Sequence, residues 1–388
     1  MSAKADAIRQ AKSSQQPGSV VRAEFPLLIG FATVATFLAL GSQLNQITTH
    51  AFPLVGVFVW LFAVILWSAI CVVRHADCLA IKLGEPYGTL ILTLSAISVE
   101  VVMISTAMLH GANNPTLGRD AIFAVVMIAL NGLVGLSLLL GGLRYREQHY
   151  NIQGVNAYLN VIMALSVLGL VLPNFTTSTS GPTFSTEQEI FFSAVSLLLY
   201  GIFLLIQTLR HRGYFLDSKQ TPVTHSHHSH RSHHSPQERS LGFHALMLVL
   251  YLAAVMFLAK KFAVPLDNSI ETFHMPQAFG GAVIAALVLS PEGLGGISAS
   301  LHNQLQRSIN ILFGTVLATI GLTIPAVLII GLLTTRSVAL GLQGANLPLL
   351  LLTLAVSVVT FTSRKTNVLQ GCVHLLLFAV FVLLIFAP

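Results

Sequence analysis

Eleven runs of about twenty apolar residues divide this chain, at roughly 26–43, 53–73, 87–109, 121–143, 154–174, 189–209, 242–263, 277–300, 308–334, 338–361 and 368–387. Wound as a helix, such a run matches the hydrocarbon thickness of a bilayer. A backbone in hydrocarbon has to satisfy its own hydrogen bonds, which a helix does. The pattern predicts an all-α polytopic membrane protein of about eleven transmembrane helices. Composition agrees: 54% of the 388 residues are hydrophobic and 9% charged, where a soluble domain carries about a quarter charged. The first third of the run at 338–361 is Gly-rich and is its weakest part as a helix.

The formal net charge of +6 resides in Lys and Arg at the ends of these runs, with no basic patch interleaved with aromatics. No nucleic-acid partner is expected. Basic residues fill the N-terminal tail and the even-numbered connections: Arg74 and Lys82, Arg144 and Arg146, Arg210 to Arg239, Arg307, then Arg364 and Lys365. Lys260 and Lys261 run against the pattern. The asymmetry predicts a cytoplasmic N-terminus and, after eleven spans, an external C-terminus. No apolar core with a cleavage site follows the polar tail, so a removable signal peptide is not expected. Cys71, Cys78 and Cys372 make no disulfide or zinc pattern and read as packing residues.

These runs organise the chain into a tail (1–24), an extra N-terminal helix with its connection (25–50), a five-helix unit (51–209), a His-rich linker (210–240) and a second five-helix unit (241–388). The two units echo one another. Glu100 lies in GTLILTLSAISVEVV and Glu292 in GGAVIAALVLSPEGL. Gly88 and Gly280, Ser98 and Ser290, and Glu85 and Gln277 precede the two acids at matching distances. A second echo joins RYREQHYNIQG (144–154) to SRKTNVLQG (363–371). Glu100 falls on the third span and Glu292 on the eighth, which run in opposite directions. The expectation is two inverted five-helix repeats, an arrangement that places ion sites near the midplane where the repeats meet.

Of the fourteen Asp and Glu residues, only Glu100 and Glu292 fall deep inside predicted spans, beyond the reach of snorkelling. An ionised side chain there costs about 2.5 kcal/mol upward against lipid. The bland alternative is a buried neutral acid that holds helices together. The sharper reading is that two facing carboxylates in a low-dielectric crevice are discharged either by protons or by a cation. Two negative charges match a divalent ion, and hard oxygen ligands suit Ca2+. Competition of protons and metal for one pair of acids is the chemistry of an antiporter.

Pro291 cannot donate to the carbonyl of Leu287, and Gly293, Gly295 and Gly296 are expected to loosen the next turn, so Leu287 is a candidate carbonyl ligand. Ser98, Ser290, Asn303, Gln306, Asn131 and Glu85 are secondary polar candidates. The serines reach the acids only if their helices are interrupted. In the linker, His225, His227, His228, His230, His233 and His234 could bind a regulatory metal or sense pH, though a solvated linker explains them as well. Neither a paired-His HExxH motif nor a Gly-x-Ser-x-Gly elbow is present, so no enzyme is expected.

At GEPYGTLILTLS (84–95), SPEGLG (290–295), HNQLQRSINILFGTVLATIGLTIP (302–325) and RKTNVLQG (364–371), the chain closely resembles the bacterial calcium/proton antiporters of the cation/proton exchanger family, within the calcium:cation antiporter superfamily. The resemblance runs from about residue 25 to the C-terminus. It implies eleven helices, with one glutamate from each repeat in a midplane cation site at Glu100 and Glu292. Asn303 corresponds to the asparagine after the second acid, and Gly314 with Thr315 to a small-polar helix motif. Departures are ISVE before the first acid, Gly293 where the wider family has histidine, and Ala318 where it has glutamine. The implied function is a secondary active antiporter in a bacterial cytoplasmic (inner) membrane. It would export Ca2+, and also Na+ or K+, in exchange for H+ by alternating access, without a cofactor. The alternatives are a Na+/H+ or K+/H+ antiporter with little role for Ca2+, or a cation channel. Expected partners are the lipid bilayer, inorganic cations and protons; the oligomeric state is not fixed by the sequence.

Overall fold

A computed structural model of the chain describes residues 24–47, 50–83, 87–110, 115–215, 239–334 and 336–387. The tail up to residue 23, Glu85 and the six linker histidines lie outside the described residues. Within them the chain forms the helices α1 (Phe25–Ile47), α2 (Ala51–Leu83), α3 (Tyr87–His110), α4 (Leu117–Tyr145), α5 (Ile152–Leu170), α6 (Thr186–Arg210), α7 (Leu241–Thr272), α8 (Ala278–Leu301), α9 (Leu305–Thr334), α10 (Asn346–Thr360) and α11 (Val368–Phe386). Eight are long and apolar enough to cross a membrane, and Phe25–Gly41, Leu94–Leu109 and Asn346–Thr360 supply shorter apolar lengths.

Helices α2 and α7, the first of each predicted unit, have 33 and 32 residues and pack along one another. Both outrun their apolar stretches because the helix continues through polar residues, Arg74 to Lys82 in α2 and Asp267 to Thr272 in α7. The added helix α1 lies on this pair. The second helix of each unit packs against the first helix of the other, α3 on α7 and α8 on α2, and the third helix of each against the second helix of the other, α4 on α8 and α9 on α3. Two third helices share a further irregularity. A π-helical turn interrupts α4 at Ile128–Leu133 and α9 at Thr319–Thr323, a distortion that recurs at functional sites.

Helix α8 corrects an expectation. It stays α-helical through Pro291, and its glycines serve close packing rather than loosening. A Cβ on Gly281 would meet the backbone N of Ala121 at 2.7 Å, and one on Gly293 or Gly296 would meet Leu133 or Leu312 at 2.9 Å. Small residues at such contacts let helices approach within a membrane.

The predicted span at 338–361 divides. Helix α10 begins only at Asn346, after Gly344 with a positive φ of 57°. Residues 336–345 form an extended strap, with Leu340 and Leu342 fully buried. Its backbone is tied to the loops beside it. Ala339 N donates to Pro115 O (3.0 Å), Gly341 N to Pro182 O (3.0 Å) and Leu342 N to Leu170 O (2.8 Å), while Leu342 O accepts from Asn174 Nδ2 (2.6 Å). The guanidinium of Arg336 donates to the carbonyl of Met108. Non-helical backbone at membrane depth is tolerated where protein covers it in this way.

The second echo is not a repeat. Gln148 and His149 pair antiparallel with Thr366 and Lys365 in a two-stranded ladder, β1 (Gln148–His149) and β2 (Lys365–Thr366). The segments lie before α5 and before α11, the fourth helix of one unit and the fifth of the other. Their shared Asn-x-x-Gly or Asn-x-x-Gln-Gly pattern is capping chemistry. Asn151 Oδ1 accepts from Gln153 N and Asn367 Oδ1 from Leu369 N, each at 3.0 Å, as N-cap residues do.

Candidate functional site

Glu100, midway along α3, and Glu292, midway along α8, line one cavity of about 360 Å³. Glu100 is 1% exposed. Its Oε2 accepts a hydrogen bond from Thr319 Oγ1 at 2.8 Å, and its Oε1 has no partner. Thr319 opens the π turn of α9 and Thr323 closes it. The hydroxyl of Thr323 faces the same carboxylate and makes no hydrogen bond of its own. Glu292 is half-buried, and its Oε2 is shielded and unpartnered. The charge of Glu292 acts on Glu100, and that of Asp77 on Glu292. Buried polar atoms are nearly always hydrogen-bonded. Glu100 Oε1 and Glu292 Oε2 thus stand in one chamber without the hydrogen-bond partner that a buried polar atom ordinarily has.

The chamber extends from the acids to one side of the molecule. Asp77 near the end of α2, Gln207 near the end of α6, and Arg307 and Asn310 in the first turns of α9 line that part. These helix ends border the second, sixth and eighth connections, so with alternating spans they share a side. The strap at 336–345, the third connection and the fifth border the other. The wall is aromatic. Tyr158 is fully buried, packs edge-on to Phe313 and accepts a 2.7 Å hydrogen bond from Gln207 Nε2. Gly314, Thr315 and Ala318 complete the α9 face.

The secondary candidates are not brought to this chamber. Ser98 Oγ donates to Leu94 O and Ser290 Oγ to Ala286 O, each at 2.6 Å, because uninterrupted helices return a serine hydroxyl to its own backbone. Leu287 is fully buried away from the lining, where Val288 stands instead. Asn131 is buried in a separate network, donating to Thr353 Oγ1 (2.8 Å) and contacting His374 Nδ1 through Oδ1 (3.1 Å). Asn303 occupies a left-handed turn between α8 and α9 (φ 58°) and accepts from Gln148 Nε2 at 3.3 Å. Gln306 accepts from Asn151 N (2.7 Å) and donates to Asn310 Oδ1 (2.9 Å), which places it behind the lining. Among the described residues no three His, Cys, Asp or Glu side chains converge to hold a metal ion.

Sequence reasoning missed Thr319, Thr323, Asp77 and Arg307. A threonine in an apolar run ordinarily bonds to its own helix, so nothing local distinguishes these two. One signal was present: the separation relating Glu100 to Glu292 also relates Met127 to Thr319 and Asn131 to Thr323. Arg307 read as a charge of a connection, and Asp77 falls outside the predicted apolar runs, because the helices continue beyond their apolar stretches.

The family described as sodium/calcium exchanger protein matches residues 53–209 and 243–387. A Sinorhizobium fredii protein is 44% identical over 320 residues, covering 81% of this chain and 84% of that one. The sodium-potassium/proton antiporter ChaA of Escherichia coli is 40% identical over 328 residues, covering 83% and 87%. Among solved structures, native YfkE superimposes with a TM-score of 0.71 at 16% identity, over 94% of this chain and 100% of that one.

Proposed function

This chain belongs to the sodium/calcium exchanger protein family, and from that membership we propose that it is a cation/proton antiporter, with Glu100 and Glu292 as its exchange site. One observation carries the reading: each acid holds an unpartnered carboxylate oxygen in the same chamber. The pair binds either protons or a cation. A cation between them completes its shell from hydroxyls such as Thr319 and Thr323, from carbonyls and from water, since among the described residues no third His, Cys, Asp or Glu converges with the two acids to hold a metal. Ca2+ fits the double negative charge and the oxygen donors.

A second reading, in which Na+ and K+ are the main cargo, is favoured by the name of the E. coli relative. The transporter acts by alternating access in the bacterial cytoplasmic membrane, its N-terminus in the cytoplasm and its C-terminus outside. The chamber then opens inward, because the helix ends that line it beyond the acids border the basic connections. The reciprocal packing of α3 on α9 and α8 on α4, with a π turn in each third helix, supports two inverted units that exchange conformations.

The test is proton movement in everted membrane vesicles. Respiration acidifies the lumen, and added Ca2+, Na+ or K+ should each be tried for its power to discharge a pH-sensitive dye. Discharge that depends on the chain and on the cation is expected. A chain that moved cation without a proportional proton flow would be a channel, and the proposal would fail.

A further inference from the structure

Asp77 and Arg307 line the same cavity as the two glutamates, and both are exposed there. One stands near the end of α2, the other in the first turn of α9. Among the described residues neither takes part in an ion pair, yet the charge of Arg307 acts on Asp77 and that of Asp77 on Glu292. Both stand at the helix ends on the side to which the cavity extends from Glu292. We propose that Asp77 and Arg307 form a charge-selective mouth, in which Asp77 draws a cation toward Glu292 and Arg307 opposes it. This rests on the antiport reading and adds two residues that set how the site weighs monovalent against divalent ions.

The mouth acts through potential rather than coordination, and that gives it a signature. The Coulomb energy of an ion near a fixed charge scales with the ion's own charge. Removing one fixed charge therefore changes the affinity for a divalent ion by the square of the factor seen for a monovalent one. A structural disturbance of the chamber has no reason to obey that relation. The effect also weakens with salt, because the mouth is open to solvent and the screening length is about 10 Å at 0.1 M.

The experiment compares the wild-type chain, Asp77→Asn and Arg307→Gln in everted vesicles at low and high choline chloride, reading the half-saturating concentration for Na+ and for Ca2+ separately from the maximal rate. For Asp77→Asn the half-saturating concentration should rise about threefold for Na+ and about tenfold for Ca2+ at low salt. Arg307→Gln should lower both in the same relation, an improvement that a misfolded variant does not produce. Both shifts should shrink in high choline chloride. The opposite signs of the two variants hold for whichever cations are exchanged. Equal factors for the two valences, shifts of the same sign in both variants, or no shift beside normal wild-type exchange would overturn the mouth alone. Wild-type vesicles that exchanged no cation for protons would overturn the antiport reading and the mouth with it.

Discussion

Thr319 Oγ1 donates a 2.8 Å hydrogen bond to Glu100 Oε2, joining the second half of the chain to the acid of the first. The equivalent position for Glu292, by the separation of the two acids, is Met127, which has no hydroxyl to give. The two carboxylates are therefore held unequally: Glu100 has one oxygen satisfied, while Glu292 meets the chamber without such a donor. If the two acids form the proposed exchange site, the less tethered Glu292 is expected to release its ligand first.

Glu100→Gln and Glu292→Gln should each reduce exchange more than a hundredfold while the protein still inserts and elutes as a single species in detergent. A neutral amide keeps the shape and removes the charge that a cation needs. Dye discharge in vesicles checks it, and either variant working at a normal rate would refute the two-acid site.

Thr319→Val should slow exchange about tenfold, because hydrogen bonds to charged groups contribute about 1.5–3 kcal/mol, while Thr319→Ser should restore most of the rate. Initial rates of dye discharge compare the three. Equal rates in Val and Ser would show that the hydroxyl is not used.

Glu24 supplies the pH prediction. Buried at the start of α1, it accepts from Arg74 (2.7 Å), His75 (3.2 Å), Arg239 (3.2 Å) and Tyr251 (3.1 Å). Burial pulls its carboxyl upward, but the His75 contact and the Arg74 charge outweigh it, and the net position is below the ordinary 4.5. A depressed carboxyl stabilises the fold fully above its unfolded value and loses that contribution as pH falls through the folded one. Glu24→Gln should lower the thermal midpoint at pH 7 by about 1–3 kcal/mol equivalent, and the gap to wild type should close as the pH drops below the ordinary carboxylate range. Melting in detergent across pH measures it; a gap constant from pH 7 to pH 3 would contradict it.

Gly281→Ala should destabilise the α4–α8 contact by about 1–3 kcal/mol, since its Cβ would meet backbone atoms of Asp120 and Ala121 at 2.7 Å. Gly56→Ala, with nothing within 4 Å of the new methyl, should be neutral or slightly stabilising through helix propensity. Thermal unfolding of the pair in detergent separates packing from propensity, and similar losses in both would deny the close approach.

The helices were legible because a bilayer demands long apolar runs, and Glu100 and Glu292 were legible because an acid in such a run is costly. What escaped had no local price to read. Pro291 promised a break that α8 does not show, since neighbouring helices hold its turns together. The Asn-and-Gln-Gly echo looked like ancestry and is capping chemistry at Asn151 and Asn367. Residues 336–345 read as membrane-depth helix from their hydropathy, although Gly341 and Gly344 hinted otherwise. Thr319 became visible only once α9 was placed beside α3.

The strap before α10 has a kinetic consequence. At 1.5 Å per residue, the fifteen residues of α10 cover about 22 Å, so the rest of that crossing depth is filled by backbone in which three amides and one carbonyl are paired with Pro115, Pro182, Leu170 and Asn174. Opening the far side would strip those partners away, and lipid has none to offer in exchange. On the alternating-access proposal water has to arrive as the strap lifts, so the outward swing should slow in dehydrating osmolytes more than the inward one, making hydration a reactant of the proposed cycle.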